Sequence, residues 1–287
     1  INFKDYKYVG DPINAVKIFN EKEVDEIIII DIDVTKNGTE PNYKLIEKLA
    51  YECRMPLCYG GGIKTAEQAQ KIFALGVEKI AISSIVIENP EIITEIANVV
   101  GNQSVVVVLD VKKKLFGGYE IYTHNGTKKT GIDPLKFVEK IEKLGAGEIV
   151  INSIDNDGSM KGFDLKLIDL VRNKISLPLT VLGGAGSMND IGEVISKHGI
   201  IGVAAGSQFV FKGKYRAVLI NYPTASEKLN LINEFFNKWY FMNTIKNATL
   251  LITGGTGSFG NAVLNRFLLT EHFNEIRIFS RDEKKQD

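Results

Sequence analysis

Three signatures occur twice in this sequence, in the same order and at nearly the same intervals. Asp31, Gly60-Gly61-Gly62 and Ser83-Ser84 in the first half return as Asp155, Gly183-Gly184-Ala185-Gly186 and Gly206-Ser207 in the second. From Asp31 to Gly60 and on to Ser83 the steps are 29 and 23 residues, and from Asp155 to Gly183 and on to Ser207 they are 28 and 24. A step of that length holds one strand, one turn and one helix. Units of this size cannot bury their apolar faces alone, so the halves must share one continuous core.

Seven strand-like runs fit the repeat: residues 26–32, 57–59, 79–83, 104–111, 148–152, 179–182 and 202–205. Most are unbroken β-branched runs, as strands covered on both faces require, and helical patterns lie between them. Leu45, Ile46, Leu49 and Cys53 share one helical stripe, as do Phe137, Ile141 and Leu144. Asn89-Pro90 and Asp133-Pro134 each read as a capping side chain before a proline in the first helical turn. The strand ending in Asp110 lies 45 residues before Asp155, and the same offset from Asp31 falls before residue 1. We therefore expect an α/β fold of the (β/α)8 TIM barrel type lacking its first strand, over residues 1–241. An incomplete Rossmann βαβ unit is expected over residues 242–287. A helix through Leu229, Ile232, Phe235, Phe236, Trp239 and Tyr240 should cover the last barrel strand.

Thirty-five Lys plus Arg balance thirty-five Asp plus Glu, so no global field draws nucleic acid or an anionic membrane, and any anion must be held locally. No apolar run approaches the roughly 20 residues that span a bilayer. Cys53 and Cys58 cannot build a disulfide framework, and His124, His198 and His272 are too scattered for zinc, so we expect no metal. Both thiols read as buried apolar side chains in a reducing cytoplasm. Ile1-Asn2-Phe3-Lys4-Asp5 is too polar for a signal peptide, and the chain is expected to begin inside a longer gene.

Barrel enzymes keep their chemistry at the C-terminal ends of the strands, where Asp31, Asp110, Asp155 and Asp157 fall. Such an aspartate can equally cap the following turn. The turns at Gly60–Gly62 and Gly183–Gly186 leave backbone N–H groups to face a phosphate, with little side-chain charge nearby except Lys64. One such turn in each half, each followed by a serine-bearing strand end, implies an elongated ligand with a phosphate at both ends.

Residues 2–222 closely resemble the cyclase subunit of imidazole glycerol phosphate synthase. The matching blocks run in order: Gly10-Asp11-Pro12, Tyr59-Gly60-Gly61-Gly62-Ile63, Val107-Val108-Leu109-Asp110, Gly145-Ala146-Gly147-Glu148, Ser153-Ile154-Asp155-Asn156-Asp157-Gly158 and Gly183-Gly184-Ala185-Gly186. The resemblance implies an enzyme that uses ammonia from a separate glutaminase subunit. It cleaves and cyclises a ribulosyl-aminoimidazole bisphosphate ribonucleotide to imidazole glycerol phosphate and an aminoimidazole carboxamide ribotide, with no cofactor in the barrel. It makes Asp110 one member of the acid/base pair. The ligand-binding set becomes Asp31, Gly61, Gly62, Ser83, Ser84, Asn152, Asp155, Asp157, Gly158, Gly183, Gly184, Gly206 and Ser207. Glu26, Lys79 and Glu148 match an ammonia gate at the opposite end. The partner acid and a fourth gate residue would lie on the missing strand, so low activity is expected of this chain.

The family's pattern is altered at Ser83-Ser84, Asn152 and Leu182. These changes resemble a paralogous group that supplies ammonia for amidinating a sugar of surface polysaccharides. The segment from Thr253 to Gly260 fits the G-x-x-G-x-x-G turn of extended short-chain dehydrogenases through Gly254, Gly257 and Gly260. With Ser280-Arg281-Asp282 it resembles the start of UDP-N-acetylglucosamine 4,6-dehydratases, Arg281 standing where the 2′-phosphate of NADP is read. Met242 reads as the start of a neighbouring frame fused to the barrel. The NAD(P) motif is expected to be non-functional.

Overall fold

The computed structural model describes residues 7–236, 248–253, 263–264, 267 and 273–279. Its strands are β1 (Ile27–Ile30), β2 (Leu57–Gly60), β3 (Lys79–Ile82), β4 (Val105–Lys113), β5 (Tyr119–Thr123), β6 (Lys128–Lys129), β7 (Glu148–Ser153), β8 (Leu179–Leu182), β9 (Gly202–Val203), β10 (Phe211–Lys212), β11 (Ala217–Val218), β12 (Ala248–Thr253) and β13 (Phe273–Phe279). The helices are α1 (Pro12–Glu21), α2 (Ile32–Asn37), α3 (Tyr43–Glu52), α4 (Ala66–Ala74), α5 (Ser84–Glu88), α6 (Ile92–Val100), α7 (Pro134–Lys143), α8 (Leu165–Arg172), α9 (Met188–His198), α10 (Ser207–Val210) and α11 (Ala225–Leu231).

The seven expected strand runs form one curled parallel sheet in the order β1-β2-β3-β4-β7-β8-β9, which is their order in the sequence. Alternation with helices makes this a TIM-barrel-like α/β fold. Among the described residues no pairing joins β1 to β9. The chain after β9 nevertheless returns to the start of the sheet: the Tyr222 hydroxyl donates to Asp25 Oδ2 at 2.8 Å, and Lys228 Nζ lies 2.8 Å from Asp25 Oδ1.

One apolar cluster fills the space between sheet and helices, including Ile46, Ile72, Ile80, Ile93, Val107, Ile141, Ile149 and Val171. It uses the stripes read from sequence through Ile46 on α3 and Phe137 and Ile141 on α7, while Leu49 of α3 is buried in a smaller cluster with Val16 and Met55. Asp133 caps α7 as expected, its carboxylate accepting from the Leu135 N–H at 2.9 Å, with Pro134 in the first turn. Asn89 does not cap a helix start. It ends α5, and α6 begins only at Ile92, because Pro90 and Glu91 form an intervening turn.

Two further expectations need correction, and one feature is new. Cys58 is fully buried, but Cys53 at the end of α3 is only half-buried, its thiol pushed up to about 11 by desolvation. The last barrel helix starts earlier than its apolar stripe, at Ala225 behind a Thr224–Glu227 capping box, and continues as a π-helical turn over Ile232–Phe236. Ile232 is buried while Leu229 is 40% exposed; Trp239 and Tyr240 lie outside the described residues. The antiparallel pairs β4–β5, β5–β6 and β10–β11 were not anticipated.

In the C-terminal segment β12 pairs in parallel with β13 and with no other strand among the described residues. Leu250, Ile252 and Phe267 bury one another there, supported by Val263, Leu264, Phe273 and Ile276.

Candidate functional site

Successive side chains of a strand point to opposite faces, and this period of two arranges the sheet interior. Glu148, Val150 and Asn152 share one face of β7. Lys79 and Ala81 share one face of β3, with Ser83 continuing the line, and Val106, Val108 and Asp110 do so on β4. Their middle members pack with Cys58, Ile28 and Leu182 into a small apolar cluster separate from the main core. Charge at the strand starts is thus connected through an apolar layer to polar groups at the strand ends.

At the strand starts the three expected gate residues meet. Lys79 Nζ lies 2.8 Å from both Glu26 Oε1 and Glu148 Oε2, and the Thr180 hydroxyl donates to Glu148 Oε1 at 2.6 Å. Burial works against the Lys79 charge, but the two carboxylates outweigh it and hold the ammonium above its usual range. Burial raises the Glu26 carboxyl, and Lys79 opposes that rise.

Asp110 does not end its strand as expected, because β4 runs on to Lys113 to pair with β5; it stands opposite Asn152 in the β4–β7 register, and Asn152 Nδ2 donates to Asp110 Oδ1 at 2.9 Å. Burial pushes the Asp110 carboxyl up to about 6, against the Asn152 hydrogen bond and with help from the Asp157 charge. Asn152 is 4% exposed, and its Oδ1 has no partner among the described residues. The other strand-end carboxylates differ. Asp31 caps α2, accepting from the Asp33 and Val34 N–H groups at 3.2 and 3.3 Å. Asp155 Oδ2 accepts from the Lys113 N–H at 2.9 Å. Asp157 is raised by burial, with Arg216 among the charges opposing the rise.

Both glycine turns take backbone shapes closed to other residues. Gly61 has φ 121°, and a Cβ there would lie 2.3 Å from the Asp31 carbonyl oxygen; Gly184 has φ 118°, and its Cβ would lie 2.1 Å from that of Gly162. The first turn departs from expectation, because the Gly62 N–H donates to the Thr35 hydroxyl at 3.2 Å instead of remaining open. At the second turn no acceptor is found for the Gly183 and Gly184 N–H groups among the described residues. Ser83 precedes α5 without a side-chain cap bond, and Ser84 is its first residue. Gly206 and Ser207 stand in the same relation to α10.

Ser207, the serine that follows the second turn, meets a side-chain charge that the sequence reading missed. Arg216 Nη2 donates to Ser207 Oγ at 3.2 Å, and its Nη1 donates to the Gly158 carbonyl oxygen at 3.1 Å. Arg216 belongs to the β10–β11 hairpin, so only the fold of that hairpin brings it back to Ser207. Gly254, Gly257, Gly260 and Arg281 lie outside the described residues. Among the described residues no cluster of His, Cys, Asp and Glu could hold a metal ion, and no helix is long and apolar enough to cross a membrane.

Comparison with known proteins divides the chain where its sheets divide. Residues 250–287 match the family described as polysaccharide biosynthesis protein, and residues 1–216 match the family described as histidine biosynthesis protein. A protein of Vibrio vulnificus, provisionally named imidazole glycerol phosphate synthase subunit hisF3, is 60% identical over 229 residues, covering 79% of this chain and 88% of its own length. The imidazole glycerol phosphate synthase subunit HisF of Lactococcus lactis subsp. cremoris strain SK11 is 42% identical over 198 residues, covering 69% of this chain and 76% of its own. A parallel sheet that sets Asp110 beside Asn152, paired glycine turns and this extent of identity lead to one assignment: the chain belongs to the histidine biosynthesis protein family.

Proposed function

We propose that the barrel acts as a cyclase subunit of the imidazole glycerol phosphate synthase type. It holds an elongated bisphosphate between its two glycine turns and uses Asp110 for proton transfer. Ammonia enters past Glu26, Lys79 and Glu148 from a glutaminase subunit. The observation that carries this reading is the continuous interior line from the Lys79 ion cluster, through Ile28, Cys58, Ala81, Val106 and Val150, to Asp110. An apolar interior suits a neutral ammonia molecule, and a carboxyl held at about 6 can both give and take a proton near neutral pH. The ligand contact of Asp31 is then made by Oδ2, since Oδ1 takes both of its backbone bonds. The protein is expected to work in the cytoplasm with no cofactor in its barrel.

A second reading is favoured by the C-terminal match to a polysaccharide biosynthesis family: the same barrel supplies ammonia for amidinating a polysaccharide sugar. The deciding experiment incubates the full chain with the histidine-pathway bisphosphate ribonucleotide and an ammonium salt. Products are identified by mass, since no pairing joins β1 with β9 among the described residues and turnover is expected to be low. Imidazole glycerol phosphate supports the first reading; its absence, with amidination of a sugar acceptor instead, supports the second.

A further inference from the structure

We propose that the β10–β11 hairpin is an anion clamp, with Arg216 a direct ligand for a phosphate seated at the second glycine turn. This deepens the phosphate-binding part of the proposed function and rests on it. Arg216 has φ 50°, in the left-handed region that hairpin turns normally fill with glycine or asparagine. A long cationic side chain is a poor choice for that backbone unless the side chain itself is needed. It reaches back across the turn to Ser207 and Gly158, which occupies two of the five guanidinium N–H donors. No other acceptor for the remaining donors is found among the described residues.

Positive charge is gathered around this point. Lys7 Nζ and the Arg216 guanidinium sit 5.2 and 5.0 Å from the centre of the same Phe211 ring, and Lys7 Nζ also donates to the Arg216 carbonyl oxygen. Lys212 and Lys214 lie in the same hairpin. Asp157 is the acid whose charge is felt by Arg216 here. Lys7 and Arg216 are like charges on one ring, and a dianion beside them offsets their repulsion. A planar guanidinium held by Ser207 presents its free edge in the fork geometry that matches phosphate oxygens. The Ser207 hydroxyl, accepting from Arg216, keeps its own O–H to donate.

The first turn has no equivalent. Its Gly62 N–H is taken by Thr35, and no cation contact to Ser83 or Ser84 is found among the described residues. The two ends are therefore unequal: the second turn takes a dianionic phosphate and holds it harder than the first.

The test titrates inorganic phosphate into the full 287-residue chain while amide resonances of Gly62, Ser84, Gly184 and Ser207 are followed. Gly184 and Ser207 should respond at lower phosphate concentration than Gly62 and Ser84. Arg216→Gln should weaken the Gly184 and Ser207 response by about tenfold or more, leave the dispersion of the remaining spectrum unchanged, and be partly rescued by Arg216→Lys. If phosphate perturbs Gly184 and Ser207 equally in wild type and both variants, Arg216 is a structural latch and the clamp is refuted while the phosphate reading stands. If the wild-type chain responds at neither turn, the phosphate reading fails and takes the clamp with it. Should Arg216→Gln lose spectral dispersion, the lysine variant decides: a retained fold with a weakened Gly184 and Ser207 response supports the clamp, and a retained fold with an undiminished response refutes it.

Discussion

Asp110 is held by burial at about 6, above the value near 4 of a carboxyl in an unfolded chain. A carboxyl raised in this way favours folding while protonated. That contribution is complete below about pH 4 and is lost as pH rises through about 6. Asp110→Asn keeps an acceptor for Asn152 and removes the buried charge, so it should change stability little at about pH 4 and raise it by about 1–3 kcal/mol above about pH 7. Thermal melts of both proteins across that range check the sign; a gain largest in acid would refute it. The same variant should lower turnover by about 10²–10⁴-fold. At the other rim, Lys79→Met leaves Glu26 and Glu148 facing each other without their shared cation. A loss of about 1–3 kcal/mol in urea unfolding at neutral pH is expected, since the trio is only partly buried. The loss should shrink in acid as Glu26, already raised by burial, takes up a proton. Asp110 was legible as a carboxylate closing an apolar strand run, while its role and the grouping of Glu26, Lys79 and Glu148 came only from the family resemblance. Arg216 was not legible, because it depends on where a hairpin folds.

The seven parallel strands were legible because each is a short run of β-branched residues bounded by turn signals, and burial on both faces demands such runs. The β5 strand also carried a signal: Tyr119, Ile121 and Thr123 are buried and alternate with half-buried Glu120 and Tyr122. It was overlooked because its partner is the far end of β4, which runs to Lys113, beyond the apolar run. Asn89 misled because a proline follows it, and the same dipeptide pattern serves equally well for a turn between two helices. Position in the sheet now separates strands of similar composition. The four residues of β2 are all buried, whereas those of β1 are half-buried or, at Ile30, 45% exposed. Strands at the ends of a sheet open at lower free energy than central ones. Amide hydrogen exchange should therefore be faster in β1 and β9 than in β3 and β4, by at least about tenfold. Equal protection across all seven would mean that the two ends are paired in solution.

At the scale of the molecule, two sequence programmes lie end to end, and each makes its own sheet. Among the described residues β12 and β13 pair only with each other, and Leu250, Ile252 and Phe267 are buried in a cluster of their own. The barrel is tied together without them: Tyr222 and Lys228 bind Asp25, and Ile232–Phe236 lies against α9. If those contacts carry the barrel's cooperativity, the C-terminal unit adds nothing to its stability. A chain cut after Phe241 should then melt within about 2 °C of the full chain, since a loss of 1 kcal/mol moves the transition by about 2–4 °C in a domain of this size. Differential scanning calorimetry of the two proteins makes the comparison. NADP should leave the barrel transition of the full chain unmoved, because a ligand of the C-terminal unit can raise that transition only if the two units unfold together. A drop of several degrees on truncation, or a barrel transition that rises with NADP, would show that the barrel and the C-terminal unit fold as one cooperative body.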